Sequence, residues 1–203
     1  MNKNIKTQFN ILAIGCIIIF VFSLVPKTLQ NDTYYTISIG EHIMQNGIDN
    51  VDPFSWHDLK YTYPHWLYDV CTYLVYSAGG MTGIYISTII LSVILGIMMY
   101  VTNKKVNQNH LFSFIFTIGG LFLIQDYIAA RAQLVTFNLF VIEILLIECF
   151  LETKKKRYAF RTYANSIFNC KLTCSSILFL FHTYVAIYWR IFNSNNKRFR
   201  LSI

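Results

Sequence analysis

A chain of 203 residues with 55% hydrophobic and only 13% charged side chains is too apolar to be read as one or two water-soluble globular domains. Its mean hydropathy of +0.44, and several apolar runs near the ~20 residues that cross a bilayer, identify an integral membrane protein. The net charge of +7 does not argue for a nucleic-acid partner, because Lys and Arg surpluses orient membrane spans.

The N-terminus begins with Lys3 and Lys6 and continues into the apolar run 11–25, which Phe9 extends. This has the outline of a signal peptide. The segment Phe22-Ser23-Leu24-Val25-Pro26 is too bulky for a small-x-small cleavage site, so residues 9–25 read as a retained first span.

Residues 26–66 then form a loop far longer than the roughly 2–8 residues that suffice between helices. It holds five of the ten acidic residues: Asp32, Glu41, Asp49, Asp52 and Asp58. Asn31 or Asp32 is placed to cap a helix over 33–46. Tyr35, Ile39 and Ile43, with Met44 beside them, give that helix one apolar stripe. Such a stripe lies along the membrane surface or packs on the bundle. Gly47 ends the helix as a C-terminal glycine, and Gly40 inside it either permits a close approach or weakens it. Residues 50–53 read as a turn. Phe54, Trp56, Tyr61, Tyr63 and Trp66 follow, a composition suited to the membrane interface. Residues 66–76 form a second amphipathic segment, separated by Ala78-Gly79-Gly80 from a second span over 82–101.

A third span covers 111–124 and is short. Residues 125–133 connect it, with Asp126 and Arg131, to a fourth span over 134–151 that carries Glu143 and Glu148. Residues 159–203 lack clear periodicity and read as an atypical tail, with a fifth apolar stretch at 175–189 that contains His182. Ten of the seventeen basic residues (Lys3, Lys6, Lys104, Lys105, Lys154, Lys155, Lys156, Arg157, Arg161 and Lys171) fall on one side of the first four spans. That puts the N-terminus in the cytoplasm, and 26–66 and 125–133 together outside. The five cysteines show no CxxC spacing and no zinc-finger histidine partner, so neither a disulfide framework nor a structural metal is expected.

The order of these pieces resembles the polytopic membrane glycosyltransferases of the GT-C superfamily, particularly bacterial members. The resemblance rests on Asp32 soon after the first span, Gly40 and Gly47 in the first helix, and Asp52-Pro53-Phe54-Ser55. Trp66-Leu67, Gly79-Gly80 and Arg131-Ala132-Gln133 complete it. Ala132 stands where that superfamily usually has Pro. The resemblance covers residues 1–158 and implies an all-α transmembrane bundle. Such enzymes are usually more than twice as long, so the chain reads as the N-terminal part of one. A frameshift or truncation near 158–161 would account for the tail.

The resemblance further implies a sugar donor carried on a polyprenyl phosphate, an acceptor on the outer face, and an acidic loop residue acting as base. Some members hold a divalent metal there; no metal ligands are assigned in this chain. Asp32 is the first candidate base, because an interfacial carboxylate can take a proton from a hydroxyl as the sugar–phosphate bond breaks; its plain alternative is a helix cap. Asp52 is the second, with an Asx-turn before Pro53 as its alternative. Arg131 is the candidate for the lipid phosphate, against a role as an interfacial anchor. Trp66 and the intramembrane Glu143 complete the substrate-binding candidates, since a carboxylate in a span is costly and marks a site. Glu41, Asp49 and Asp58 read as solvated, and His42, His57 and His65 as surface histidines outside any ligand motif. The competing reading is a non-catalytic membrane protein, either a subunit or transporter fragment, or an inactive remnant. Membrane lipid and the lipid-linked donor are the expected partners.

Overall fold

The computed structural model describes residues 3–173 apart from 27, 29, 50, 58, 59, 154 and 155. The apolar stretch at 175–189 and the remainder of the tail lie outside the described residues, as does Asp58. Among the described residues the protein is all-helical. Its helices are α1 (Lys3–Leu24), α2 (Asn31–Asn46), α3 (Trp66–Asn107), α4 (His110–Leu123), α5 (Ala132–Thr153) and α6 (Lys156–Thr173), with a 3-10 turn at Gln125–Tyr127. Extended pairing is limited there to one isolated bridge, Val51 with Lys60.

Three of these helices, Asn4–Leu24, Trp66–Asn107 and Ala132–Thr153, are long and apolar enough to cross a membrane. α4 is not: its 14 residues rise about 21 Å, short of the roughly 30 Å of a hydrocarbon core. Its start is set by Asn109, whose Oδ1 accepts hydrogen bonds from the Leu111 and Phe112 amides at 3.0 and 3.4 Å. α3 has the opposite problem. Forty-two residues would rise about 63 Å, twice the bilayer core. Gly80 resolves this with φ 59° and ψ −153°, a conformation that favours glycine. The helix splits there into an arm over 66–79 and a spanning stretch over 81–107. The two fold sharply on each other, since a Cβ at Gly83 would lie 2.9 Å from the Val75 carbonyl oxygen.

α1, the spanning stretch of α3, α4 and α5 form the bundle. Its core holds Ala13, Ile17 and Val21 from α1, Leu95 and Tyr100 from α3, Leu121 from α4, and Leu134 and Val141 from α5. Gly96 sits where three helices meet; a Cβ there would be 2.8 Å from Ile17 and 3.4 Å from Leu121. In lipid, where apolar surface gains little from leaving its surroundings, small residues of this kind let helices approach closely. The buried hydroxyls of Thr88, Ser92 and Thr117 return to carbonyls one turn back at 2.7–2.8 Å. At one end of the bundle Asn10 Oδ1 lies 2.8 Å from both the Tyr100 hydroxyl, which donates to it, and His110 Nδ1. Residues 125–131 meet α2 at the other end.

α2 spans 31–46 and begins one residue earlier than a cap at Asn31 would require. The capping position is Gln30, whose side chain makes no cap bond, and Asp32 lies inside the first turn. The buried face also differs from the simple stripe. Thr33, Thr36, Ile37, Ile39, Gly40 and Ile43 are buried, while Tyr35 and Met44 are exposed. The face shifted because α2 lies on the first arm of α3 through its glycine: a Cβ at Gly40 would collide with the Asp69 carbonyl and approach Tyr73 Cβ to 2.8 Å. Gly47 ends the helix at φ 83°, its amide donating to the Ile43 carbonyl at 2.9 Å.

The start of the tail is ordered helix, contrary to its poor periodicity. α6 packs on α5, with Ser166 Oγ donating to Glu143 Oε1 at 2.7 Å and Asn165 Nδ2 donating to the Leu139 carbonyl at 3.0 Å. Its pattern is polar pairing to a neighbour, which an apolar-stripe reading does not detect.

Gly40→Ala is expected to destabilise the protein by about 1–3 kcal/mol, the usual cost of forcing a methyl into packed contact. Gly15→Ala, where nothing lies within 4 Å, serves as the control. Thermal unfolding in detergent compares the two, and equal melting temperatures would contradict the close approach.

Candidate functional site

Two segments remote in sequence meet beside the end of α1. Residues 128–132 run as a tight turn into α5, with the Arg131 amide donating to the Ala129 carbonyl at 2.8 Å and Leu134 to Arg131 at 3.1 Å. Ala129, Ala130 and Ala132 are buried, and their small side chains let the first turn of α2 lie against the turn. Thr33 Oγ1 donates to the Ala130 carbonyl at 3.1 Å, and Arg131 Nη2 reaches Asp32 Oδ2 at 2.7 Å. The carboxylate side chain keeps 66% of its exposure and the guanidinium side chain 31%. Arg131 Nε is buried without a partner among the described residues. Two candidates that the sequence suggested separately, one as base and one as phosphate ligand, are thus a single ion pair.

The other candidates are not in that pair. Asp52 Oδ1 accepts from the Phe54 amide at 3.0 Å, as an Asx-turn does. No hydrogen bond or ion pair joins it to Asp32 or Arg131 among the described residues. The turn leans on α2, with the Phe54 and Tyr35 ring centroids 5.5 Å apart. Trp66 is half-buried against the cluster of Ile39, Ile43 and Tyr63. Glu143 is fully buried eleven residues into α5, about 16 Å along the axis from its start.

Two acidic residues have a larger role than their sequence context signalled. Asp49 is not simply solvated: the Tyr63 hydroxyl donates to its Oδ1 at 2.6 Å, and His42 Nε2 lies 3.2 Å from its Oδ2. The Tyr63 bond first, and then His42, hold the Asp49 carboxyl below its ordinary range. Asp69, which drew no attention in the sequence, is 1% exposed in the first turn of α3. His65 Nδ1 lies 2.9 and 3.0 Å from its two oxygens. The available signal was a His and an Asp four residues apart across a helix start, a spacing that faces them together. Among the described residues no three His, Cys, Asp or Glu converge closely enough to hold a metal ion.

The His65–Asp69 pair carries a pH dependence. The Asp69 hydrogen bond raises His65 above the ordinary histidine value, and burial opposes it. A raised folded-state value means that the contribution is fully present below the ordinary value and is lost as the pH rises through the raised one. The melting temperature is therefore expected to fall as pH rises from about 6 upward. His65→Gln should flatten that fall, and an unchanged slope would show that the pair is not the source.

No family model, curated protein or solved structure matches the chain.

Proposed function

We propose that this membrane protein is a glycosyltransferase of the GT-C type, or the N-terminal part of one. In this reading it passes a sugar from a polyprenyl phosphate to a hydroxyl acceptor on the non-cytoplasmic side. The observation that carries the reading is the Asp32–Arg131 pair, 2.7 Å apart and partly exposed where the first turn of α2 meets the turn into α5. A guanidinium matches phosphate oxygens and a carboxylate accepts a hydroxyl proton. At rest each neutralises the other. A donor phosphate that competes for Arg131 frees the Asp32 carboxylate beside it. The acceptor hydroxyl then gives its proton to Asp32 while its oxygen attacks the anomeric carbon. The carbon–oxygen bond to phosphate breaks, and polyprenyl phosphate leaves as an anion held by Arg131. Asp52 and Trp66, on the same long loop and at its end, are assigned to positioning the acceptor, and Glu143 to the lipid-side path within the bundle.

The orientation follows from charge. Lys6, Lys104 and Lys105 lie at the Asn10–Tyr100–His110 end, and the Asp32–Arg131 pair at the opposite end, so the positive-inside rule directs the pair outwards. In a Cys71→Ser background, Trp56→Cys is expected to react with a membrane-impermeant maleimide on intact cells. Labelling only after lysis would reverse the assignment. Trp56 is 97% exposed, so burial in the protein does not limit its reaction.

The second reading, a non-catalytic membrane protein, is favoured by one observation. The Thr33–Ala130 bond ties the same two segments, so the ion pair also serves as a clamp. The two readings separate on one variant. An ion pair this exposed contributes about 0–1 kcal/mol, so Asp32→Asn should barely move the melting temperature. As the base, Asp32 accounts for about 10²–10⁴ in rate, so the same variant should lose transfer by that factor. The assay is reconstitution with labelled polyprenyl-phosphate sugars. Normal transfer by Asp32→Asn excludes it as the base, and failure of the wild-type chain to transfer any tested sugar favours the clamp.

A further inference from the structure

We propose that His65 is a second hydroxyl-binding and proton-accepting residue at this end of the protein, held in one tautomer by Asp69 as its positioning residue. Both Asp69 oxygens face His65 Nδ1, at 2.9 and 3.0 Å. A carboxylate only accepts, so Nδ1 carries the proton and the neutral ring presents its lone pair at Nε2. No group among the described residues hydrogen-bonds Nε2, and the His65 side chain keeps 32% of its exposure while the Asp69 side chain keeps 2%. The arrangement is a buried orienting carboxylate behind a partly exposed imidazole, which is how a histidine is prepared to take a proton from a ligand hydroxyl.

The surroundings hold the pair rigid. Gly40 brings the α2 backbone against the Asp69 carbonyl, which sets where the first turn of α3 lies. The Tyr68 ring meets the His65 ring edge-on, with centroids 6.4 Å apart. Tyr68 also packs with Ala132 at the start of α5. The groups that act on the His65 ring are the Asp69 carboxylate, bonded to Nδ1, and the Tyr68 ring, met edge-on. Imidazole exchanges protons near neutral pH, as a second proton acceptor requires.

The nature of the ligand rests on the sugar-transfer reading, which supplies a hydroxyl-bearing acceptor. The test does not rest on transfer. The 203-residue chain in detergent is treated with diethyl pyrocarbonate, and modification of each histidine is read by peptide mass spectrometry, with and without methyl glucoside. His65 is expected to react at Nε2, and methyl glucoside is expected to slow that reaction severalfold while leaving His57 unchanged. In Asp69→Asn the pH midpoint of His65 modification should move down, and Asp69→Glu should restore it partly. An unreactive His65, or modification that methyl glucoside does not slow, overturns the proposal; so does a midpoint unmoved in a folded Asp69→Asn. If Asp69→Asn does not fold, protection in the wild-type chain still decides. Protection without any sugar transfer by the wild-type chain upholds the His65 site and sinks the transferase reading. Transfer without protection does the reverse.

Discussion

The backbone of α2 lies against the backbone of α3 because residue 40 has no side chain. That contact seats α2 on the first arm of α3. It turns Ile39 and Ile43 onto Tyr63 and Trp66, and it carries Asp69 out of solvent. It also lays the first turn of α2 over residues 128–132, where Asp32 finds Arg131 and Thr33 finds the Ala130 carbonyl. A buried carboxylate without a partner would cost several kcal/mol, and His65 supplies the partner from the residue that starts the same helix. Packing and electrostatics are coupled here: the close approach that buries Asp69 also fixes the imidazole that compensates it.

The bilayer imposes the second constraint. A helix that must cross about 30 Å cannot use forty-two residues in a straight line, and the chain breaks at the residue best able to adopt φ 59°. The arm before Gly80 is thereby released to carry His65, Trp66 and Asp69 to the loop end, while the stretch after it joins the bundle. Several polar groups inside the helices are answered by backbone or by neighbouring side chains. Serine and threonine hydroxyls return to their own helix, Asn138 Nδ2 reaches the Leu91 and Leu134 carbonyls, and Ser166 meets Glu143. This is what a medium without water requires of any polar atom placed in it.

Much of this was legible along the chain, and the misreadings have a common origin. The apolar runs over 9–25, 82–101 and 134–151 correspond to the three long apolar helices, because length and hydropathy are properties of consecutive residues. The run over 111–124, short in the sequence, is an apolar helix of 14 residues. The helix over 33–46 and its end at Gly47 were readable, yet its buried face was not. Which residues of a helix are covered depends on the partner, and the partner here is a glycine-mediated backbone contact. Asp49 looked like a solvated acid because the hydroxyl that binds it, on Tyr63, lies fourteen residues away. The start of the tail showed poor periodicity because its pairing is polar and directed at α5.

The sequence by itself determined that the protein lives in a membrane, that its described elements are helices, and that the long acidic, aromatic segment between the first two spans is its chemically richest part. These follow from composition and from short-range periodicity. Only the tertiary structure decided that Asp32 and Arg131 are partners, that Asp52 serves its own turn, and that Asp69 is buried behind His65. The first and the last of these depend on segments brought together by a close approach at Gly40 and a break at Gly80. A sequence shows that a glycine is present there; only the fold shows what its missing side chain admits.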